Sequence, residues 1–368
     1  MPRAATLNYV GDIDSFRINV TQAGTLYVRS GGGYDLIGGL LDASGKTLGT
    51  TANLATNDDA DFGSNDFGIT WPVTPGNYYL NVAPWIPTDL TPAGYSVTAS
   101  FTTATTNYTA LWWAGESESG WGMNLNHQGN IIFGTLFTYD AGQGIWLILS
   151  RGERQPDGSY VGALYRTTGP AFNAIPFTPI TAANLTEVGS MRLTFSGPNN
   201  GTLVYNVGTR TVTKSISKQT FATQPTCSFS GTNRTFNDNY QDLWWNPNES
   251  GWGINLTHQS DIIFATLFTY DAAGKGMWLI LSRGDRIGTS ENFAGALYRT
   301  TGPNFDAVPF TPIGPSNVKQ VGNMRLEFTD GNTARLIYNV NDGVNDVSVT
   351  KDIQRQTFDR FRPDCQKP

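Results

Sequence analysis

Cysteine, histidine and charge are all scarce in this chain. Two of its 368 residues are cysteine, two are histidine, and charged residues make up 15%. One histidine per half, with no second histidine or cysteine beside it, falls short of the three or four donors that a zinc site needs. Lysine and arginine number 24 against 30 acidic residues, with no basic stripe, so the phosphate neutralisation that nucleic acid demands has no visible source. No apolar run approaches the roughly 20 residues of a membrane-spanning helix. The 3.6-residue apolar period of a packed amphipathic helix is missing as well. Glycine (41 residues) and aromatics (12%) are plentiful instead, which predicts an almost entirely β protein.

Much of the chain is written twice. Leu111-Trp112-Trp113, Glu118-Ser119-Gly120-Trp121-Gly122 and Asn124-Leu125-Asn126-His127-Gln128 return as Leu243-Trp244-Trp245, Glu249-Ser250-Gly251-Trp252-Gly253 and Asn255-Leu256-Thr257-His258-Gln259. The echo continues through Phe133 to Asp140 against Phe264 to Asp271, and Trp146 to Gly152 against Trp278 to Gly284. A repeat this long is a domain and not a solenoid turn, so each copy is expected to close its own core. The division is 1–104, 105–233 and 234–368.

Cys227 and Cys365 close the two copies at matching positions, after Gln219-Thr220-Phe221 and Gln356-Thr357-Phe358. Equivalent ends meeting across a pseudo-twofold can form one disulfide, which suits an oxidising compartment; the alternative is two free thiols in separate domains. Met1 to Ala5 leads straight into domain sequence, as in a cytoplasmic protein or after removal of an export leader. The cysteine placement tilts the expectation toward a secreted or cell-surface protein.

The first hundred residues hold nine acidic against four basic side chains. Phe16 to Val20 and Thr25 to Val28 alternate apolar and polar, and further strands are expected at Leu36 to Leu41, Asp66 to Trp71, Tyr78 to Val82 and Tyr95 to Phe101. Strands at this spacing fit a β-sandwich. The ordered set Gly11-Asp12-Ile13-Asp14-Ser15-Phe16, Tyr34-Asp35, Leu40 to Gly45, Asn57-Asp58-Asp59, Thr74 to Val82 and Gly94 to Val97 resembles bacterial pre-peptidase C-terminal domains over residues 5–101. That resemblance implies a jelly-roll-like sandwich, an accessory role in exported proteins, and in some members calcium. Asp12, Asp14, Asp58, Asp59 and Asp61 can supply the oxygens that calcium takes, or can simply cap turns.

Each later copy reads as seven or eight strands joined by hairpins, an up-and-down meander that curls into a barrel or tight sandwich. The proline-bearing stretch from Thr168 to Glu187 cannot be a central strand and is expected to cover one end of the fold. Catalysis finds little support: Glu-Ser-Gly-Trp-Gly is not a nucleophile elbow, and Glu118 with Asp140, or Glu249 with Asp271, are the few acids the copies share. Aromatics carry the stronger signal. Trp112 with Trp244, Trp113 with Trp245, Trp121 with Trp252 and Trp146 with Trp278 form matched pairs, and neighbours in a strand face opposite ways, so one ring of each doublet can enter the core while the other faces a groove.

A ring facing outward beside amide, imidazole and guanidinium groups offers what sugars favour. The candidate ligand-binding set is Trp113, Asn124, His127, Trp146 and Arg151, with Trp245, Asn255, His258, Trp278 and Arg283. Against it stands packing of the rings in cores or between copies, and exposed pairing of Arg151 with Glu153 and of Arg283 with Asp285. The run Leu-Trp-Trp, Glu-Ser-Gly-Trp-Gly, Asn-Leu, His-Gln also resembles a tandem repeat of exported proteins of Gram-negative bacteria over residues 108–365, a resemblance that implies location and architecture but no reaction.

The sequence therefore reads as an all-β protein, a sandwich followed by two homologous antiparallel barrels or sandwiches. The expected role is non-catalytic binding or adhesion to an extracellular polysaccharide or other polymer. A self-associating structural subunit of a fibre or sheath, and a hydrolase with its site between the repeats, are the alternatives.

Overall fold

A computed structural model of the chain describes residues 3–21, 24–50, 53–58, 65–73, 75–86, 93–103, 106–229, 234–343, 346–359 and 362–366. Among the described residues there are strands and three short 3-10 turns, and no helix is long and apolar enough to cross a membrane. The chain falls into two units, residues 1–105 with 229–231, and the remainder.

The first unit holds β1 (Arg3–Leu7), β2 (Asp14–Val20), β3 (Gly24–Gly31), β4 (Leu36–Leu41), β5 (Gly49–Thr50), β6 (Asn53–Leu54), β7 (Thr56–Asn57), β8 (Gly68–Val73), β9 (Gly76–Pro84) and β10 (Ala93–Thr103). Two antiparallel sheets, ordered β1-β10-β3-β8 and β2-β9-β4-β7, make the sandwich expected from the spacing of turns. Strict alternation along β4 and β9 sends Leu36, Leu40, Leu80 and Val82 inward, where they meet Leu26, Val28 and Phe67 in one core. Gly38 is required there, since a Cβ would stand 2.6 Å from the Phe67 ring.

The second unit contains two closed barrels. The first runs β11 (Ala110–Trp113), β12 (Gly122–Gln128), β13 (Ile131–Asp140), β14 (Gln143–Arg154), β15 (Tyr160–Thr167), β16 (Leu185–Phe195), β17 (Asn200–Val207) and β18 (Arg210–Lys218). After the short strand β19 (Thr226–Phe229) the second follows: β20 (Asp242–Trp245), β21 (Gly253–Gln259), β22 (Ile262–Tyr270), β23 (Gly276–Arg286), β24 (Asn292–Thr300), β25 (Val318–Phe328), β26 (Thr333–Asn341) and β27 (Asp346–Arg355), with β28 (Pro363–Gln366) pairing back to β19. Each is an up-and-down meander closed by its first and last strands. Trp112 faces Lys218 at one closure and Trp244 faces Arg355 at the other, so the copies share one register.

Barrel closure removes sheet edges but leaves an outer face to be covered. Inward positions such as Met123, Leu125, Leu147 and Leu149 fill the first barrel. The alternate positions Asn124, Asn126, Thr135, Phe137, Tyr139 and Trp146 face out, and all are buried nonetheless, because the matching face of the second barrel lies against them. Each buried aromatic ring there contributes roughly 1.5–3 kcal/mol. The expectation that each copy closes its own core is thus met only in part: the barrels are separate, but their buried side chains form one continuous cluster.

The proline-bearing excursions, expected to cover one end of the fold, cross to the neighbouring barrel. Phe172 N donates to Tyr270 O and Ile180 N to Ser250 O, and reciprocally Phe305 N donates to Tyr139 O and Ile313 N to Ser119 O, each at 2.9 Å. Phe172, Phe177, Phe305 and Phe310 anchor these arms in the shared core. The disulfide Cys227–Cys365 joins the ends of the two copies, as their matched positions predict.

One departure from symmetry is buried. In the second barrel Asp242 accepts from Arg234 at 2.6 Å and from Arg355 at 3.3 Å, all three side chains being sealed from water. Burial and the neighbouring Arg234 lower the Arg355 guanidinium to about 10, against the pull of Asp242. The first barrel has Ala110 and Lys218 at the positions of Asp242 and Arg355. Burial pulls the Lys218 amine down to about 8, and Lys218 Nζ donates to Asn107 O and lies over the Trp112 ring.

Candidate functional site

At the margin of the seam lies a cleft of about 630 Å³ with walls from both barrels. The first barrel brings Trp113 from β11, Trp121 from the Glu-Ser-Gly-Trp-Gly turn, and Phe137 from β13. From the second barrel come outward residues of three consecutive strands: Phe264 and Thr266, Trp278 with Ile280 and Ser282, and Tyr298 with Thr300. The crossing arm adds Ile313, Gly314 and Pro315. Among the described residues no charged side chain lines the cleft, and its polar side-chain groups are hydroxyls, indole N–H groups and the Gln219 amide.

The Glu-Ser-Gly-Trp-Gly turn shapes this cleft from below. Trp121 Nε1 donates to Glu118 Oε2 at 3.1 Å, Lys214 pairs with Glu118 at 2.7 Å, and the same ammonium stands 5.9 Å from the Trp121 ring centroid. The second copy repeats the trio with Trp252, Glu249 and Lys351 at 3.0, 2.8 and 5.9 Å. Gly120 has φ +126°, and a Cβ on it would stand 2.7 Å from Ile313; Gly251 has φ +125° and meets Ile180 at 2.7 Å. The motif is therefore a socket for the arm of the opposite copy, with glycine demanded both by backbone conformation and by close approach.

Of the sequence-predicted ligand residues, the structure brings Trp113 and Trp278 together in the cleft. Trp113 and Trp245 are half-buried while their neighbours Trp112 and Trp244 are fully buried, so each doublet divides between groove and core. Among the described residues Trp245 Nε1 has no hydrogen-bond partner. Asn124, Asn255 and Trp146 lie inside the seam: Asn124 Nδ2 donates to Thr257 Oγ1 at 3.4 Å, Asn126 Nδ2 to Asn255 Oδ1 at 2.7 Å, and Trp146 Nε1 to Thr269 O at 2.9 Å. Trp278 Nε1 makes the reciprocal bond to Thr138 O at 3.2 Å. These groups spend their hydrogen-bonding capacity on joining the copies.

The histidines sit inside the barrels, away from the cleft. His127 Nδ1 accepts from Tyr108 N at 3.3 Å, its Nε2 is 2.9 Å from Tyr160 Oη, and burial drives its pKa down to about 3. His258 Nδ1 accepts from Tyr240 N at 3.1 Å, with Phe293 beside the ring in place of the tyrosine. Arg151 pairs with Glu153 and Arg283 with Asp285 at 2.6 and 2.9 Å, all four well exposed. Both histidines are fully buried, and neither lines the cleft.

In the sandwich, Asp12 Oδ2 accepts from Asn8 N at 2.8 Å within a turn, and Asp14 Oδ2 accepts from Tyr95 Oη at 2.6 Å, a bond between the two sheets. Desolvation and the Asp14 carboxylate raise the Tyr95 phenol well above its usual value. Asp58 is half-buried, and Asp59 and Asp61 lie outside the described residues. Among the described residues no group of three or more histidine, cysteine or acidic side chains is placed to hold a metal ion.

Sequence reasoning missed Phe264, Ile280 and Tyr298, and it missed the arm residues. A signal existed: Phe264-x-Thr266, Ile280-x-Ser282 and Tyr298-x-Thr300 are outward positions of neighbouring strands, yet they carry large side chains where a solvated barrel wall would not.

Among solved structures, the chain is similar to the 1.0 Å crystal structure of the pre-peptidase C-terminal domain of collagenase from Bacillus anthracis, with 18% identity, 27% of this chain and 88% of that chain covered, and a TM-score of 0.22. No protein-family model matches the chain. A search of curated proteins returns no match.

Proposed function

We propose that this is a non-catalytic binding protein of an oxidising, extracellular setting, which holds a neutral segment of a polysaccharide or other polymer in the cleft at the barrel seam. The observation that carries the reading is the half-buried Trp113 ring, set beside Trp121 and Trp278 in a cleft that no charged side chain lines among the described residues. Flat apolar faces flanked by hydroxyls accept the apolar face of a ring while leaving hydrogen bonds at its edge. The volume lies within the usual range of ligand sites, about 300–1,000 Å³. The disulfide between the copies supports export.

The test is binding of the full chain to a glycan panel, followed by Trp113→Ala. Trp113 is only half-buried, so its loss should spare the fold and weaken the bound glycan at least tenfold. Unchanged affinity for every bound glycan would remove the cleft from consideration.

A further inference from the structure

The second barrel carries another cleft, of about 550 Å³, that differs in chemistry from the seam cleft. It lies over the open stretch of β25, β26 and β27 and the turn after β20. Its wall includes Glu327, Arg335, Asp352, Gln354, Asn246 and Asn248. The first three form a cross-strand row, because Arg335 is the direct neighbour of Glu327 on one side and of Asp352 on the other.

The first barrel supplies an internal control. Its registers pair Thr194 with Thr202 and Thr202 with Ser215, so these three small neutral residues stand where Glu327, Arg335 and Asp352 stand in the second. Ser217 likewise replaces Gln354, since it faces Trp113 as Gln354 faces Trp245. Ala114 follows Trp113 where Asn246 follows Trp245. The fold therefore does not need charge at these positions, and one copy alone has it.

From this placement we infer that the cleft on the second barrel is a binding site for a neutral polyhydroxylated ligand, a sugar unit. Carboxylate acceptors alternate with a guanidinium donor, and amides that donate and accept flank them, which matches adjacent hydroxyls that do both. Glu327 is held by Arg325 at 2.8 Å, so two carboxylates meet two guanidinium groups and the balanced row favours neither an anion nor a cation. Arg335 and Asp352 stand 3.5 Å apart with 57% and 86% of their side chains exposed, so little of their hydrogen-bonding capacity is spent on each other. Asn246 Oδ1 accepts from Asn248 N at 2.9 Å, which fixes the turn that borders the cleft.

The site is independent of the seam cleft, and the experiment keeps the two apart. Isothermal titration of the full chain with neutral hexasaccharides of β-1,4-glucose, α-1,4-glucose, β-1,4-mannose and β-1,4-N-acetylglucosamine supplies the baseline. The triple variant Glu327→Thr, Arg335→Thr, Asp352→Ser carries the residues of the first barrel at all three positions. Binding of at least one hexasaccharide should weaken tenfold or more in the triple variant and stay within twofold in Thr194→Ala, Ser215→Ala, which alters the same wall positions of the first barrel. Should the triple variant misfold by near-ultraviolet circular dichroism, the near-isosteric pair Glu327→Gln, Asp352→Asn replaces it, with a threefold or greater loss expected. Failure of all four sugars to bind, or equal affinity in the folded variant, overturns the inference.

Discussion

Asn126 Nδ2 donates to Asn255 Oδ1 at 2.7 Å across the seam between the barrels, and the equivalent residues on the other side meet with the direction reversed, Asn124 Nδ2 donating to Thr257 Oγ1 at 3.4 Å. These two contacts are related by the pseudo-twofold, and all four side chains are buried. A buried amide that loses its partner bears its full desolvation cost, about 1–3 kcal/mol. Asn255→Ala should lower the stability of the seam by that amount in urea unfolding, and a change below about 0.5 kcal/mol would show that the amides are incidental to it.

The buried Arg234–Asp242–Arg355 triad offers a sharper case. Asp242→Ala leaves two guanidinium groups sealed without their carboxylate. Breaking a buried pair in this way costs about 3–5 kcal/mol. The same change is already present in the first barrel as Ala110, so the penalty comes from the stranded charges and not from the lost side chain. The double variant Asp242→Ala, Arg355→Lys should recover part of the stability; recovery of none would contradict that account.

His127 titrates near 3 in the folded chain because burial disfavours its charged form. An unfolded histidine binds its proton at about 6.5, so between that pH and about 3 the unfolded chain holds the extra proton. The contribution of His127 is complete above about pH 6.5 and drains away as pH falls toward 3. Stability measured at pH 7, 5 and 4 should decline, and His127→Asn should flatten the decline even where it lowers the value at pH 7. A parallel curve for the variant would mean that another group drives acid sensitivity.

Gly120 and Gly115 both have positive φ, but only Gly120 meets a neighbour. Gly115→Ala should cost about 1–3 kcal/mol through backbone strain alone. Gly120→Ala adds a collision with Ile313 and should cost about 1–3 kcal/mol more in thermal or urea unfolding. Equal losses for the two variants would mean that the arm yields freely and is not locked in the socket.

Strand alternation, turn spacing and the long internal echo make the sandwich, the two meanders and the matched cysteines legible in the sequence. The division of each tryptophan doublet followed from alternation alone, since Trp112 and Trp113 must face opposite ways. Hidden from that reading was the use of the outward positions. Asn124, Trp146, Asn255 and Trp278 look like recognition groups because polar and aromatic residues on an outer face ordinarily meet solvent or ligand. Here they meet the other copy, and nothing local in a sequence says which outer face a second domain will cover. The arms were opaque for the same reason: their prolines exclude a central strand but do not say whose wall they reach.

The crossed arms make the two halves of this unit a tethered version of a symmetric dimer. A lone barrel would present a bare aromatic wall and an arm without a socket, and two identical barrels would satisfy both needs by the same reciprocal contacts. Tethering supplies the partner at high local concentration. It also releases the halves from having to stay identical, so that one of them can accumulate charges such as Asp242, Glu327 and Asp352 while its sibling keeps the plain version of the same wall.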